Sequence, residues 1–137
     1  TEEEFFALLA PDPGPVAAGA RVAGVDKPVL NELVATLVEA GTVGTVVIKR
    51  GADGATVLTG DDRIDVPGFE VDPINTVGAG DSFASGLIWS RLQGDGWYQA
   101  CRVGNACGAI VVTRHGCAAA FPTHDEVIDF VTESGGF

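Results

Sequence analysis

Apolar positions follow helical spacing in several parts of the chain and form short β-branched runs in others. The helical segments are residues 1–9, 28–40, 81–92, 97–112 and 123–131. The strand-like runs are residues 45–49, 55–59 and 63–67, whereas residues 11–25 carry no clear period and predict an irregular connection. This mixture predicts an α/β protein in which helices such as the one at 28–40 cover a sheet.

Capping boxes mark two of the predicted helix starts. Thr1 is followed by Glu4, and Thr123 by Glu126, so that a hydroxyl and a carboxylate can satisfy free N–H groups in each first turn. We therefore predict that helices begin at Thr1 and at Thr123, and that His124 lies on the surface in the first turn of the later helix.

The run Asn-Thr-Val-Gly-Ala-Gly-Asp at residues 75–81, which we call the signature turn, directly precedes an apolar helical pattern. A glycine-rich turn lets successive N–H groups point at one place, and a helix that begins there adds the positive end of its dipole. An anion such as a phosphate is therefore expected at the turn. The carboxylate of Asp81 would stand beside this anion, where it can take a proton from an attacking hydroxyl.

A plainer interpretation of the signature turn stays open. Gly-x-Gly-Asp is also an ordinary helix start, in which Asp81 merely caps the first turn. Two other glycine signatures are excluded, because no Gly-Lys-Ser or Gly-Lys-Thr follows the turn and because Phe83 stands where the dinucleotide pattern needs its third glycine. A dinucleotide-dependent oxidoreductase is therefore the weakest candidate function.

The end of the predicted strand 45–49 is a second candidate site. Nucleotide-binding α/β sheets place their ligands beyond the C-terminal ends of the strands. We therefore predict that residues 49–51 lie at the edge of the sheet where phosphates bind. On these residues alone, a plain hairpin turn between strands 45–49 and 55–59 is the alternative.

Composition and net charge limit the classes of molecule that the chain is expected to bind. The chain has 137 residues, of which 46% are hydrophobic and 20% charged, so one globular unit is expected. A net charge of −11 disfavours nucleic acid or an anionic membrane as a partner, because both need clustered Lys and Arg. Phosphate would have to be held by backbone groups and metal.

Cysteine usage and the lack of targeting signals predict a reducing cytoplasm. Cys101, Cys107 and Cys117 lack CxxC spacing, so they indicate buried or half-buried thiols rather than a disulfide framework or a zinc site. No apolar run reaches membrane-spanning length, and the acidic start lacks the basic head of a signal peptide.

Residues 49–122 resemble the sugar kinases of the PfkB (ribokinase) family almost end to end. The matching runs are residues 49–54, 75–81, 104–109, 112–117 and 122–123. The resemblance implies a ribokinase-like three-layer α/β/α fold (Rossmann-like), of which residues 1–137 would be the C-terminal, ATP-binding part. Within the family, the runs Asn-Ala-Cys-Gly-Ala-Ile-Val-Val and Arg-His-Gly-Cys are most similar to the kinases of 5-dehydro-2-deoxygluconate, which act in inositol breakdown.

The resemblance also implies roles in phosphoryl transfer. Gly78, Ala79 and Gly80 would donate backbone N–H groups to the transferred phosphoryl group, and Asp81 would accept the proton of the sugar hydroxyl. This division suits a loose transition state, in which positioning and charge stabilisation carry most of the acceleration.

Four further positions match residues that bind the nucleotide in this family. Lys49, Gly51 and Gly54 would line the phosphates or ribose of ATP, and Asn105 would lie near the adenine. For Asn105 a second interpretation stays open, in which its amide packs within the helix and bonds to a nearby carbonyl.

The resemblance implies two metal ions. Glu4 matches a glutamate that organises Mg²⁺ through water, although Thr1 replaces the asparagine usual in that motif. Many relatives also hold a monovalent cation, usually K⁺, through carbonyls, and the matching positions here are Asn75, Val77, Arg114 and Gly116. Family members often have Asp where this chain has Asn75.

The expected activity is therefore ATP- and Mg²⁺-dependent phosphorylation of a sugar or sugar-acid hydroxyl. The first alternative is another kinase of the family, for 2-keto-3-deoxygluconate, fructose or ribose. Because family members carry their sugar site and lid in an N-terminal half that is missing here, the lone chain is not expected to phosphorylate sugar. A nucleotide-binding module without chemistry is the second alternative, and apolar surface left by the missing half would favour homo-oligomers.

Overall fold

The computed structural model describes residues 4–8, 17–21, 44–59 and 62–137. The predicted helix at 28–40 and the capping residue Thr1 lie outside the described residues. The chain divides into two compact units. The first holds most of the sheet, and the second consists of Ala52–Gly54 and Val66–Phe137.

Within the described residues, five strands form one sheet. They are β1 (Glu4–Leu8), β2 (Ala17–Arg21), β3 (Thr45–Lys49), β4 (Ala55–Thr59) and β5 (Asp62–Val66). Their order is β2-β1-β3-β4-β5, and β1 pairs antiparallel with both β2 and β3, as β3 does with β4. Val47 of β3 lies opposite Phe6 of β1 and Val57 of β4, and every residue of β3 is buried.

The first five described residues correct the sequence-based prediction. We predicted a helix from Thr1, but Glu4–Leu8 is a strand, in which Phe5 pairs with Ala20 on one side and Ile48 on the other. Pairing on both sides supplies hydrogen-bond partners that a local capping box cannot match. Ala17–Arg21, which we predicted to be irregular, is the strand that pairs with β1.

The other three predicted strands are confirmed. β3 and β4 have the predicted bounds, and β5 covers Asp62–Val66 where residues 63–67 were predicted. A 3₁₀ helix at Gly51–Asp53 joins β3 to β4. β-branched residues dominate β3 because both of its edges are paired and a stiff side chain packs well on a pleated surface.

Three α-helices form the second unit in the described part of the chain. They are α1 (Ala79–Leu92), α2 (Trp97–Val112) and α3 (His124–Glu133). Each lies where the apolar period predicted it, and α2 has the predicted bounds. The core between them is closed by the following buried residues: Phe69, Val103, Ala106, Cys107, Ala109, Ile110, Val127 and Val131.

Glycines let α1 and α2 approach closely. A Cβ added to Gly86 of α1 would lie 2.6 Å from Cys107 Sγ, and one added to Gly104 of α2 would lie 3.0 Å from the ring and carbonyl of Phe83. The small residues of α2 therefore give the tight packing that its composition predicted, and this packing fixes the direction from which α1 leaves the signature turn.

The predicted capping box at the start of α3 is confirmed. The Glu126 carboxylate accepts the Thr123 N–H at 2.7 Å, the Glu126 N–H donates to Thr123 Oγ1 at 3.4 Å, and Arg114 donates to the same carboxylate at 2.6 Å. The hydrogen bonds that the carboxylate accepts, from the Thr123 N–H first and then from Arg114 and Thr123 Oγ1, lower the pKa of Glu126 from 4.5 to about 2. The charged carboxylate therefore ties the loop before α3 to the helix.

This box predicts how stability depends on pH. A carboxyl group whose pKa is lowered by folding stabilises the fold above its unfolded pKa, and the contribution is lost as the pH falls toward the folded pKa. Glu126→Gln should therefore lower the melting temperature at pH 7, and the difference from wild type should shrink between pH 4.5 and about 2. Thermal unfolding followed by circular dichroism measures this. Glu133→Gln, at the other end of α3, is the control, and an equal effect there would contradict the assignment.

Candidate active site

The signature turn leads into α1 through a glycine that no other residue can easily replace. Gly78 precedes the helix with φ +85°, in the left-handed region where a Cβ is strained. A Cβ at Gly78 would also lie 3.1 Å from Cys117 Sγ and 3.4 Å from the Phe121 ring. The turn therefore depends on this glycine for both its backbone conformation and its packing.

Two N–H groups of the turn are used internally. The Val77 N–H donates to Asn75 Oδ1 at 3.1 Å, and the Ala79 N–H donates to the Thr76 carbonyl at 3.3 Å. Ala79, which we predicted to donate to a phosphate, thus already has a partner inside the turn.

The next N–H groups remain available. Among the described residues, no acceptor bonds the N–H groups of Gly78, Gly80 or Asp81, whereas the Ser82 N–H closes the first helical bond to the Gly78 carbonyl at 2.9 Å. We call the three N–H groups of Gly78, Gly80 and Asp81 the amide nest. They stand at the start of a helix of fourteen residues, where the dipole favours an anion.

The Asp81 side chain is not a helix cap. The residue is exposed in the first turn of α1, and no side chain caps that helix. Its carboxylate forms no hydrogen bond or ion pair with any described residue. The capping interpretation is therefore not what the structure shows, and the carboxylate is accessible to a substrate beside the amide nest.

The signature turn is held against the loop that follows α2. The N–H groups of Ile74 and Asn75 donate to the Val112 carbonyl at 2.7 and 3.1 Å, and Asn75 Nδ2 donates to the Gly116 carbonyl at 3.2 Å. Three of the predicted cation ligands, Asn75, Val77 and Gly116, are thereby brought together.

Arg114, the fourth predicted cation ligand, uses its side chain elsewhere. Its guanidinium pairs with Glu126 at 2.6 Å and donates to the Ala120 carbonyl at 3.4 Å. The role predicted for Arg114 concerns its backbone carbonyl, and that role stays a prediction.

Asn105 lies buried in α2, and its amide packs the helix. Asn105 Nδ2 donates to the Pro67 carbonyl at 3.0 Å and to the Val66 carbonyl at 3.4 Å. This is the contact that our second interpretation of Asn105 predicted, and it links α2 to the chain that leaves β5. Its proximity to adenine stays a prediction.

The other predicted nucleotide-binding residues differ in their surroundings. Lys49 is buried at the end of β3, and Gly51, with φ +59°, has open space around its Cβ direction. Gly54, with φ +93°, is packed directly against the backbone at residues 66–68. Glu4 opens β1, where its backbone pairs with Arg21.

Arg102 is a buried cation that the sequence analysis did not single out. Its guanidinium lies 3.9 Å from the centre of the Phe69 ring, and it donates to the Pro67 carbonyl at 3.3 Å and to the Gly136 carbonyl at 2.9 Å. Its Nε has no partner among the described residues. A lone Arg within the apolar run 97–112 was the signal that could have found it.

The cysteines divide into two kinds. Cys101 and Cys107 are buried as predicted, and burial raises the pKa of Cys101 to about 12 and that of Cys107 to about 11, which keeps both thiols protonated. The prediction was wrong for Cys117, which is exposed. It lies in the loop between α2 and α3, with its sulfur beside Gly78, because this loop packs against the signature turn.

An apolar cavity of about 250 Å³ lies among the three helices of the second unit. His124 borders it, exposed as predicted, with its ring 4.9 Å from that of Trp89. The lining contains neither Asp81 nor Asn75 nor Asn105. The cavity therefore does not include the residues of the amide nest, and its surface is mostly apolar.

Comparison with known proteins gives the context of this site. A family model described as pfkB family carbohydrate kinase matches residues 17–124, well over half of the chain. An ATP-dependent ribose-1-phosphate kinase of Halopiger xanaduensis is 43% identical over 88 residues, which are 64% of this chain and 29% of that protein. A 5-dehydro-2-deoxygluconokinase of Bacillus thuringiensis is 41% identical over 87 residues, 63% and 26% of the two chains. The chain thus spans less than a third of these relatives.

Solved structures agree with the fold. An E. coli protein described as a putative ribokinase II, solved in its apo form and in complex with ATP and Mg²⁺, superimposes with a TM-score of 0.72 at 30% identity, covering 80% of this chain and 35% of that one. A Vibrio cholerae fructokinase with bound fructose, ADP and calcium ion gives a TM-score of 0.64 at 32% identity, covering 72% and 34%. These likenesses confirm the predicted ribokinase-like α/β fold.

Proposed function

Because the chain belongs to the pfkB family of carbohydrate kinases, we propose that it supplies the ATP-binding part of a kinase that phosphorylates a sugar or sugar-acid hydroxyl. The observation that carries this proposal is the amide nest with the unpartnered Asp81 carboxylate beside it. Free N–H donors suit a phosphoryl group, and a free carboxylate suits the hydroxyl that attacks it.

The geometry suggests how the transfer would proceed. The sugar hydroxyl oxygen attacks the γ-phosphorus of ATP, the bond to the β,γ-bridging oxygen breaks, and Asp81 receives the hydroxyl proton. The N–H groups of Gly78 and Gly80 donate to the oxygens of the phosphoryl group during its transfer. They stabilise the negative charge on those oxygens without having to reorient. ADP leaves with the electron pair of the broken bond.

Magnesium would bind to this site together with ATP, mainly through the phosphates of the nucleotide. No cluster of three His, Cys, Asp or Glu side chains in the described residues could hold a metal by itself. Mg²⁺ commonly keeps several waters and binds through substrate phosphates and few carboxylates, and when bound it neutralises charge on the β- and γ-phosphates. Glu4 would hold one of those waters, as the family resemblance implies.

The nucleotide would be held mainly by backbone. We propose that Lys49, Gly51 and Gly54 line its phosphates or ribose. Asn105 would lie near the adenine. Its amide donates to the Pro67 carbonyl, so its effect on the nucleotide would come from holding the backbone at Pro67 in place. An acidic chain with a net charge of −11 can hold ATP in this way because N–H donors and the metal supply the positive charge.

The substrate is proposed to be 5-dehydro-2-deoxygluconate. The runs at residues 105–112 and 114–117 and the similarity to the Bacillus thuringiensis kinase support it. Ribose 1-phosphate is a second candidate, since the Halopiger xanaduensis relative is 43% identical. Turnover with these two substrates, 2-keto-3-deoxygluconate, fructose and ribose, in a kinase that joins this chain to a sugar-binding half, decides among them.

Binding of ATP to the chain tests the nucleotide role directly. Calorimetry should show binding of ATP with Mg²⁺, and adenosine should bind about tenfold or more weakly, because a charge-assisted hydrogen bond contributes about 1.5–3 kcal/mol. ATP binding without sugar-dependent turnover would support a nucleotide-binding module. No ATP binding, or equal binding of ATP and adenosine, would contradict the proposal.

A further inference from the structure

The Asn75 side chain bridges two loops through both ends of its amide. Asn75 Oδ1 accepts the Val77 N–H at 3.1 Å inside the signature turn. Asn75 Nδ2 donates to the Gly116 carbonyl at 3.2 Å, across 41 residues of sequence. The bridge connects the chain that forms the amide nest to the loop after α2.

The direction of the amide is fixed by its partners. The Val77 N–H can only donate and the Gly116 carbonyl can only accept, so the oxygen of Asn75 must face Val77 and its NH₂ must face Gly116. Rotating the amide by half a turn would oppose two oxygens at one end and two donors at the other. The network therefore requires an amide at this position.

A monovalent cation does not fit this arrangement well. The family resemblance implies that such an ion gathers the carbonyls of residues 75, 77, 114 and 116. In this chain the Gly116 carbonyl already accepts a hydrogen that carries partial positive charge. That hydrogen joins the two loops as a cation would, but without an ion.

We propose that the Asn75 amide replaces a monovalent cation in holding the signature turn against the loop after α2. Asn75 is then a positioning residue, and the shape of the amide nest does not depend on K⁺. The effect on ATP rests on the proposed kinase function, whereas the bridge itself does not.

Aspartate at position 75 would create the need for a cation that asparagine removes. A carboxylate still accepts the Val77 N–H, but it has no donor for Gly116, so two acceptor oxygens would face each other at about the distance that Nδ2 now spans. A cation between them would relieve the repulsion. Asn75→Asp should therefore make the stability of the chain depend on K⁺.

Thermal unfolding in KCl and in choline chloride of equal ionic strength tests this. Wild type should melt at the same temperature in both salts. In choline chloride Asn75→Asp should melt about 5 °C lower than wild type, because a hydrogen bond is lost and a carbonyl is left facing a carboxylate. KCl should restore most of that loss. Asn75→Ala should melt lower in both salts without restoration, since alanine offers no ligand.

Thr76→Asp is the matched control, because it adds the same charge at an exposed neighbouring position and leaves the bridge intact. It should not respond to K⁺. The proposal is overturned if wild type is stabilised by KCl over choline chloride, or if Asn75→Asp responds no more than Thr76→Asp.

ATP titrations in the two salts separate this proposal from the kinase function. If the bridge shapes the nest, ATP affinity should be independent of K⁺ in wild type and should increase with K⁺ in Asn75→Asp. A chain that binds no ATP but shows the expected melting pattern would contradict the proposed function and leave the bridge supported. ATP binding that requires K⁺ in wild type would overturn the bridge and leave the function supported.

Discussion

Asp81→Asn is expected to lower the turnover of a kinase that carries this chain by about 10²–10⁴-fold, the usual contribution of a general base. The amide cannot accept the hydroxyl proton, but it has nearly the same shape. Because the Asp81 carboxylate bonds no described residue, its replacement should leave the fold and the affinity for ATP nearly unchanged. The effect should appear in kcat, with little change in KM for ATP.

Asp125→Asn is the matched control for this substitution. Asp125 also stands exposed in the first turn of a helix, but that helix is α3 and not the one at the amide nest. Its replacement also removes one negative charge at the N-terminal end of a helix. The control therefore measures the effect of losing the favourable interaction between a carboxylate and the helix dipole, without the loss of a base. Normal turnover in Asp81→Asn, or an equal loss in Asp125→Asn, would show that Asp81 is not the base.

Sequence predicted the second unit well because its signals are local. α2 runs between Gly96 and Thr113, where its apolar period begins and ends, and α3 starts at a capping box that the sequence spells out. The sequence also predicted that a glycine turn stands at the start of α1, because the glycines and the apolar period that follows them are adjacent; whether Asp81 caps the helix was left open, and the structure shows that it does not.

Long-range pairing explains what the sequence did not reveal. Glu4–Leu8 is a strand because β2 and β3 flank it on both sides, a fact that no short window contains. The Asn75 bridge to Gly116 joins residues 41 positions apart, and the contact of the Cys117 sulfur with Gly78 spans a similar separation. Local pattern identifies which groups carry chemistry, and tertiary contacts decide which of them are already occupied.

Gly54→Ala is expected to cause the largest loss of stability of any substitution considered. A Cβ at Gly54 would lie 2.1 Å from the Val66 carbonyl oxygen, 2.4 Å from the Gly68 nitrogen and 2.6 Å from the Pro67 carbonyl carbon. All three are backbone atoms, so no side chain can rotate away, and φ of +93° adds strain of its own. Strain and overpacking together should lower the free energy of unfolding by about 2–6 kcal/mol.

Urea denaturation of the chain measures this loss, and Gly51→Ala is its matched control. Gly51 also has a positive φ, +59°, but nothing lies within 4 Å of its Cβ direction, so alanine there should cost only about 1–2 kcal/mol. The comparison separates two reasons for a glycine in the same short turn: close approach of backbone at Gly54, and conformation with free space for a ligand at Gly51. Equal losses would contradict the close approach at Gly54. A Gly51→Ala chain that stays folded but binds ATP more weakly would identify Gly51 as the position where the nucleotide needs the space.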